Sequence, residues 1–145
     1  MLTPPLLREA IARLIPHQGS MCLLDRAALW DEGRILCETE RHRDAENPLR
    51  RDGLLPAVCG VEFALQAMAL HGALTSGAPQ PLGFVSSLRD LTLEVDRVDD
   101  IAQPLRIEAV ALVAEASGFI YRFAISAGDR RLIGGQAAVI LQRSA

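Results

Sequence analysis

The sequence predicts an α+β fold in which an antiparallel β-sheet wraps around one long central α-helix. Only residues 56–76 carry apolar side chains at a helical period over the length of a long helix. After residue 83, apolar and polar residues alternate in segments that are separated by short turns, as is typical of antiparallel strands. With 145 residues, the chain is expected to form a single domain over residues 1–145.

The chain before the central helix predicts a short helix, a β-hairpin and a long loop. Residues 5–14 space Leu, Ala and Ile as a helix does, and Pro16 ends that helix. The hairpin comprises a strand at 21–30, a turn at 31–33 and a strand at 34–41. Residues 42–55 are polar and predict a loop, and loops of this length in a compact domain are often functional.

The central helix and the strands after it form the second half of the fold. Four alanines keep the helix thin enough for a sheet to approach it closely: Ala64, Ala67, Ala69 and Ala73. The predicted strands are residues 83–95, 105–114, 119–126 and 131–141, with a turn at 127–130. A run of strands beside one helix is typical of the α+β class.

Composition excludes several classes of function. The net charge of −3 and the 4% aromatic content argue against a nucleic-acid-binding protein. No run of apolar residues reaches the ~20 needed to span a bilayer, and the first residues do not resemble a secretory signal. Three widely spaced cysteines fit neither a disulfide framework nor a zinc site. We therefore expect a cytoplasmic protein without a metal or redox cofactor.

Glu62 is the first candidate for a functional residue. It lies near the start of the central helix, among Val, Phe, Leu and Met side chains. Burying a carboxylate there costs several kcal/mol unless it is paired or protonated, so such residues mark functional sites. The alternative is that Glu62 simply points to solvent, as most glutamates do.

Two motifs resemble the β-hydroxyacyl-(acyl carrier protein) dehydratases of the hot-dog fold. Residues 14–26, LIPHQGSMCLLDR, are similar to the "LPH…LLVDR" opening of that family. Residues 55–66, from Leu-Pro-Ala-Val to Gln66, are similar to its "FPGV…EAMAQ" helix start, whose glutamate is catalytic. The resemblance extends over nearly the whole chain, and it implies the hot-dog fold and acyl chains on a carrier protein as substrates.

The chain departs from that family at one catalytic position. The family places a histidine eight residues before the proline of the helix start, whereas this chain has Pro48 there, and the nearest histidine is His42. The glycine that follows the family's proline is Ala57 here. The chain more closely resembles the divergent dehydratase-like group of aryl polyene and related pigment pathways, which also lacks the histidine loop.

The resemblance implies roles for residues near the helix start. Glu62 would act as the acid or bind the departing hydroxyl, since apolar surroundings favour a neutral carboxyl. Gln66, one turn further, would orient it. The free N–H groups around Val58, Cys59 and Gly60 would polarise the thioester carbonyl.

Two further residues near the site have two interpretations each. His17, after Pro16, either lines the acyl channel as a second catalytic candidate or is a hydrogen-bonded structural histidine. Cys59 would suit a nucleophile if the helix dipole lowers the thiol pKa, but the sequence shows no activating His–acid pair beside it.

The missing base suggests a partner chain. In hot-dog dehydratases, two protomers share each active site, so the resemblance implies that another chain donates the histidine, and we expect a homodimer or a heterodimer. An acidic carrier protein bearing phosphopantetheine would dock on the basic loop. The candidate docking residues are Arg41, Arg43, Arg50 and Arg51.

Two other functions fit the same sequence. A non-catalytic acyl-binding subunit would explain the absent histidine but not the retained Glu62. A hot-dog thioesterase would also use a carboxylate near the start of the central helix, and it needs no base for an α-proton. Release of a free acid rather than of water would distinguish the thioesterase from the dehydratase.

Overall fold

A computed structural model describes residues 2–142 and places seven antiparallel strands in one sheet beside one long helix. The strands are β1 Leu6–Leu7, β2 Arg26–Trp30, β3 Arg34–Thr39, β4 Gly83–Leu93, β5 Leu105–Glu115, β6 Gly118–Ala127 and β7 Arg130–Leu141. The helices are α1 Arg8–Ala12 and α2 Gly60–Ser76, with short 3-10 turns at Gly19–Met21, Arg41–Arg43 and Ala57–Cys59. Across the sheet the order is β1-β2-β3-β5-β6-β7-β4. The predicted sheet around a central helix is confirmed.

Helix α2 is the centre of the hydrophobic core. It packs against β5, β3 and β6, and most of its side chains are buried. The helix ends where Gly77 adopts a φ of 78° and donates its N–H to the Ala73 carbonyl at 2.9 Å. Ala57–Ser76 is long and apolar enough to cross a membrane, but 67% of its most apolar window is buried inside the fold. Its hydrophobicity is therefore accounted for by the core.

The start of α2 is fixed by the segment that follows β4. The N–H of Ala57 donates to the Asp96 carbonyl at 2.9 Å, and the N–H of Leu55 donates to Asp99 Oδ1 at 2.7 Å. A hydrogen bond from Arg97, together with that from Leu55, holds the pKa of Asp99 at about 2. Asp99 is thus a carboxylate at neutral pH. Its hydrogen bond with the Leu55 N–H fixes the chain just before α2, and this fixes where the first turn of α2, which contains Glu62, begins.

Two segments before α2 differ from the sequence prediction. Leu6 and Leu7 do not begin a helix but pair with β2, and α1 is limited to five residues. Residues 21–25 were predicted as the start of a strand at 21–30, but the observed strand β2 begins only at Arg26. Gly19 turns the chain with a φ of 60°, and Gln66 forms hydrogen bonds with main-chain groups of Met21 and Leu23. Main-chain contacts with distant residues, which periodicity does not encode, decide both cases.

A buried polar link joins α2 to the sheet. His71 Nε2 lies 2.8 Å from the Asp31 carbonyl, so this nitrogen carries the proton and donates it. Nδ1 of His71 is therefore an acceptor, and it takes the hydrogen bond of the Tyr121 hydroxyl. Burial raises the pKa of Tyr121 to about 12, so that the hydroxyl stays protonated. Both ring nitrogens of His71 are thus occupied by hydrogen bonds within the fold.

Strand β4 forms one edge of the sheet and is exposed along its length. It pairs only with β7 among the described residues, and none of its eleven residues is fully buried. Its large apolar side chains include Phe84, which is 63% exposed. A long apolar edge strand is a template for pairing with another chain.

Candidate functional site

A small apolar pocket opens between the loop after α1, one face of α2 and the edge of the sheet. Its volume is about 140 Å³. The polar side chains of the pocket are His17, Glu62 and Gln80, and its apolar lining includes Leu65, Ala69, Val85, Phe119 and Val139. Gly83 and Val85 belong to the edge strand β4, so the pocket lies beside the open edge of the sheet.

His17 and Glu62 meet in this pocket. The Nε2 atom of His17 lies 3.0 Å from Oε1 of Glu62, and each side chain keeps about a quarter of its surface exposed, 25% and 29%. Nδ1 of His17 is buried and has no hydrogen-bond partner among the described residues. The Nε2 edge of the ring therefore faces the Glu62 carboxyl.

The loop that carries His17 is held at both ends. Gln18 donates to the Ala12 carbonyl at 2.7 Å, and Arg8 donates to the Gly19 carbonyl at 3.1 Å, which fastens the loop to α1. Gln66 holds the other end of the loop from α2. Its Oε1 accepts from the Leu23 N–H at 2.8 Å, and its Nε2 donates to the Met21 carbonyl at 2.7 Å.

Gln66 thus contacts the loop instead of Glu62. We expected its side chain to orient the carboxyl directly, but Gln66 is fully buried and both ends of its amide are bonded to main-chain groups. Glu62 and Gln66 share one face of α2, one turn apart, and both face the segment from residue 16 to residue 23. The glutamine therefore contacts the main chain of the loop that carries the histidine, and the histidine contacts the carboxyl.

The helix-start residues lie apart from the pocket. Among residues 2–142, the lining of the His17–Glu62 pocket does not include Val58, Cys59 or Gly60. The N–H of Cys59 donates to the Pro56 carbonyl at 3.0 Å, and that of Gly60 faces the Ala57 and Val58 carbonyls. Within this chain, the N–H groups of Cys59 and Gly60 are directed to carbonyls of the helix start. They are therefore not free to polarise a carbonyl, which is the role that we had expected of them.

Cys59 and Gly60 have packing roles in the structure. Burial raises the pKa of the Cys59 thiol, the opposite of the shift expected from the helix dipole, which disfavours a thiolate nucleophile. Gly60 is buried where α2 meets the sheet, and a Cβ atom there would collide with Ile133. A larger residue at position 60 would therefore require the Ile133 side chain to shift.

The arginines of the predicted docking loop are only partly free. Arg41 pairs with Asp25 at 3.2 Å and with Asp44 at 3.1 Å. Arg50 donates to the Asp44 and Gly53 carbonyls at 2.8 and 2.7 Å, so its guanidinium holds the loop together. Arg43 and Arg51 are exposed. Arg43 still donates to the Ala102 carbonyl at 3.1 Å.

His42 is not part of the pocket. It is fully buried, its Nε2 donates to the Ile101 carbonyl at 3.0 Å, and its Nδ1 has no partner among the described residues. Burial lowers its pKa, so the ring is kept neutral. This histidine stabilises the loop and does not approach Glu62.

The sequence did not identify several of the residues that line the pocket. Leu65 and Ala69 follow Glu62 at steps of three and four residues, so the helical period of α2 contained the signal for them. Gln80, Phe119 and Val139 come from distant parts of the chain, and only the fold brings them to the pocket.

The ApeP-like family profile, described as ApeP dehydratase, matches residues 9–144. The chain belongs to the ApeP-like dehydratase family. The match spans both the His17 loop and the Glu62 helix. A comparison with curated proteins finds no match.

Solved structures confirm the hot-dog fold. The dehydratase heterocomplex ApeI:P from Xenorhabdus doucetiae contains a chain that is 20% identical, with a TM-score of 0.81 over 92% of this chain and 91% of that one. An HP0420 homologue from Helicobacter felis is 14% identical, with a TM-score of 0.63 over 95% and 91%. A hypothetical thioesterase with coenzyme A from Streptococcus pneumoniae is 12% identical, with a TM-score of 0.56 over 81% and 87%.

Proposed function

We propose that this protein is a 3-hydroxyacyl-(acyl carrier protein) dehydratase, or a subunit of one, in which His17 and Glu62 perform the proton transfers. The observation that carries the proposal is the 3.0 Å contact between these two side chains in an apolar pocket. Membership of a dehydratase family supports the reaction class. The pocket is lined mainly by aliphatic side chains and Phe119, which suits an acyl chain.

The geometry accommodates a complete proton cycle. Nε2 of His17 removes a proton from the α-carbon of the thioester, and Glu62 donates its proton to the departing 3-hydroxyl, which leaves as water. The electron pair of the broken C–H bond forms the new carbon–carbon double bond. The cycle leaves a proton on His17 and none on Glu62, and transfer across their 3.0 Å contact restores both groups.

His17 thereby replaces the base that we expected from a partner chain. Each general acid or base contributes roughly 10²–10⁴-fold to the rate. His42 is bonded to the Ile101 carbonyl and is fully buried, so it does not compete for this role. In this proposal His17 is the proton acceptor, so the reaction does not need a histidine at position 48.

A second hot-dog chain would pair at strand β4. This strand is open along its outer edge, exposes apolar side chains on both faces and forms one wall of the pocket. A partner that pairs there covers the apolar surface and narrows the site. The heterocomplex of the Xenorhabdus doucetiae dehydratase makes a related hot-dog chain a natural partner, and a second copy of this chain is the other one.

The carrier protein would dock on the basic loop through Arg43 and Arg51. Both side chains are exposed, and Arg51 has no ion-pair partner among the described residues. Changing Arg51 to Glu should weaken binding of an acidic carrier protein by about two- to five-fold, as is typical of an exposed ion pair. Arg106→Glu, an exposed arginine on β5, is the control. Equal weakening by both variants would show that the carrier protein does not dock specifically on the basic loop.

The reaction is tested by mass spectrometry of the products. The protein, alone and together with a histidine-bearing dehydratase chain from the same source, is incubated with a 3-hydroxyacyl carrier-protein thioester. We expect loss of water, abolished by Glu62→Gln and unaffected by Glu46→Gln, an exposed glutamate in the loop before α2. Release of free acid would instead identify a thioesterase, and binding without conversion would identify an acyl-binding subunit.

A further inference from the structure

A second cavity adjoins the His17–Glu62 pocket. Its volume is about 480 Å³, against about 140 Å³ for the pocket. Both are lined by the same four residues where they meet: Gln80, Pro81, Phe119 and Leu141. The two cavities are therefore neighbours that share one wall.

One face of α2 runs beneath both cavities. Glu62, Leu65 and Ala69 line the pocket, and Gly72 and Thr75 line the second cavity. These positions follow each other at steps of three or four residues, which places them in one row on the helix. From position 62 to position 75 the row is about 20 Å long, at 1.5 Å per residue.

The side chain of Gln80 lies on this row between the cavities. Its main-chain N–H donates to the Leu14 carbonyl at 2.8 Å, which fixes the segment between α2 and β4. Its amide packs directly against Gly72. A Cβ atom at position 72 would overlap Oε1 of Gln80 and lie 3.1 Å from its Cδ. Gln80 therefore occupies space that only a glycine at position 72 leaves open.

The second cavity offers mainly non-hydrogen-bonding surface to a ligand. The Tyr121 hydroxyl is bonded to His71, and the Thr75 hydroxyl donates to the His71 carbonyl of its own helix at 2.9 Å. The other polar lining residues are Ser76, Gln80 and the exposed Glu115, and the rest of the lining is apolar, with Phe119, Pro79, Pro81 and Leu141 among its residues. Such walls suit a hydrocarbon chain more than a charged group.

We propose that Gln80, packed on Gly72, controls how long an acyl chain the protein accepts. This inference rests on the proposed function. An engineered cavity of about 150 Å³ binds benzene, so the pocket alone holds about six carbon atoms. Longer acyl chains pass Gln80 and place their distal atoms in the second cavity. The preferred substrates are thus 3-hydroxyacyl thioesters whose chains extend beyond the pocket.

The test compares the wild type with two variants, using three probes. Binding of pantetheine thioesters with 3-hydroxyacyl chains of four, eight and twelve carbons is measured by calorimetry on the full chain. Gly72→Ala should push Gln80 into the passage and weaken binding of the twelve-carbon probe by about tenfold, with the four-carbon probe unaffected. Ala has a higher helix propensity than Gly, so the variant should fold. The double variant Gly72→Ala with Gln80→Ala should restore binding of the long chain.

The outcomes separate this inference from the function on which it rests. Binding of all three probes with no chain-length dependence in Gly72→Ala overturns the role of Gln80 and leaves the dehydratase proposal intact. Failure of the double variant to restore long-chain binding has the same meaning. If none of the three probes binds to the wild-type chain, the proposed function fails together with the inference.

Discussion

The Nε2 atom of His17 lies 3.0 Å from Oε1 of Glu62, although one residue belongs to a loop after α1 and the other to the first turn of α2. One turn further along α2, Gln66 bonds to the main chain of Met21 and Leu23. Two neighbouring side chains of the helix thus hold the same loop. Glu62 contacts the imidazole of His17, and Gln66 contacts the main chain of the loop.

Replacing Gln66 with Leu should loosen the His17 loop. The Leu23 N–H and the Met21 carbonyl lose their partner, and each buried polar group left unsatisfied costs about 1–3 kcal/mol. We expect the free energy of unfolding to fall by about 3 kcal/mol in chemical denaturation. The turnover number should also fall at temperatures where the variant is fully folded, because His17 is no longer held over Glu62.

Gln103→Leu is the matched control, since Gln103 is an exposed glutamine. This variant should change neither the free energy of unfolding nor the turnover number. If Gln66→Leu lowers stability but leaves the turnover number unchanged, Gln66 does not position the histidine.

A charge on the outer strand should prevent assembly. Phe84 is 63% exposed on the edge strand β4, and burying a lysine ammonium in an apolar interface is unfavourable. We expect Phe84→Lys to shift the protein from dimer to monomer in sedimentation velocity. Leu7→Lys, at a residue that is 61% exposed on β1 at the opposite end of the sheet, is the control. Dissociation by Leu7→Lys alone would place the interface at the other edge.

Stability should fall in mildly acidic solution because of His42. Burial lowers the pKa of His42 in the folded protein, and Glu40, Arg43 and the Ile101 and Gln103 main chain face the ring. The unfolded chain therefore binds the proton first as the pH falls below about 6.5, the usual histidine value. The free energy of unfolding stops falling once the pH is below the lowered pKa of His42 in the folded protein, because the folded and unfolded states then both carry the proton.

The measurement is urea denaturation of the wild type and of His42→Gln at pH 7.5 and pH 5. The wild type should lose more stability between these values than the variant, whose side chain does not titrate. An equal loss in both proteins would show that His42 is not the group responsible.

The sequence predicted the fold because its signals are local. The period of α2 and the alternation of the strands after residue 83 depend on neighbouring residues, and both were confirmed. The segment at residues 21–25 was misjudged because its main-chain groups bond to Gln66, far along the chain. Periodicity contains no information about such contacts.

The site was only partly predictable for the same reason. His17 and Glu62 could each be singled out as residues, by motif and by an apolar setting, but their contact depends on how the loop packs on α2. Gln80 carries no sequence signal, since it lies in a short connection between α2 and β4. Its place against Gly72 follows from the anchoring of its N–H to Leu14.

The most direct test of the account compares His17→Asn with Glu62→Gln in water elimination from a 3-hydroxyacyl carrier-protein thioester. Both are measured in the assembly that supports turnover by the wild type, whether the partner is a second copy or another hot-dog chain. We expect each variant to lower the rate at least about 100-fold, because each group transfers one proton. Full activity of His17→Asn beside an inactive Glu62→Gln would contradict the account and assign the base to the partner chain.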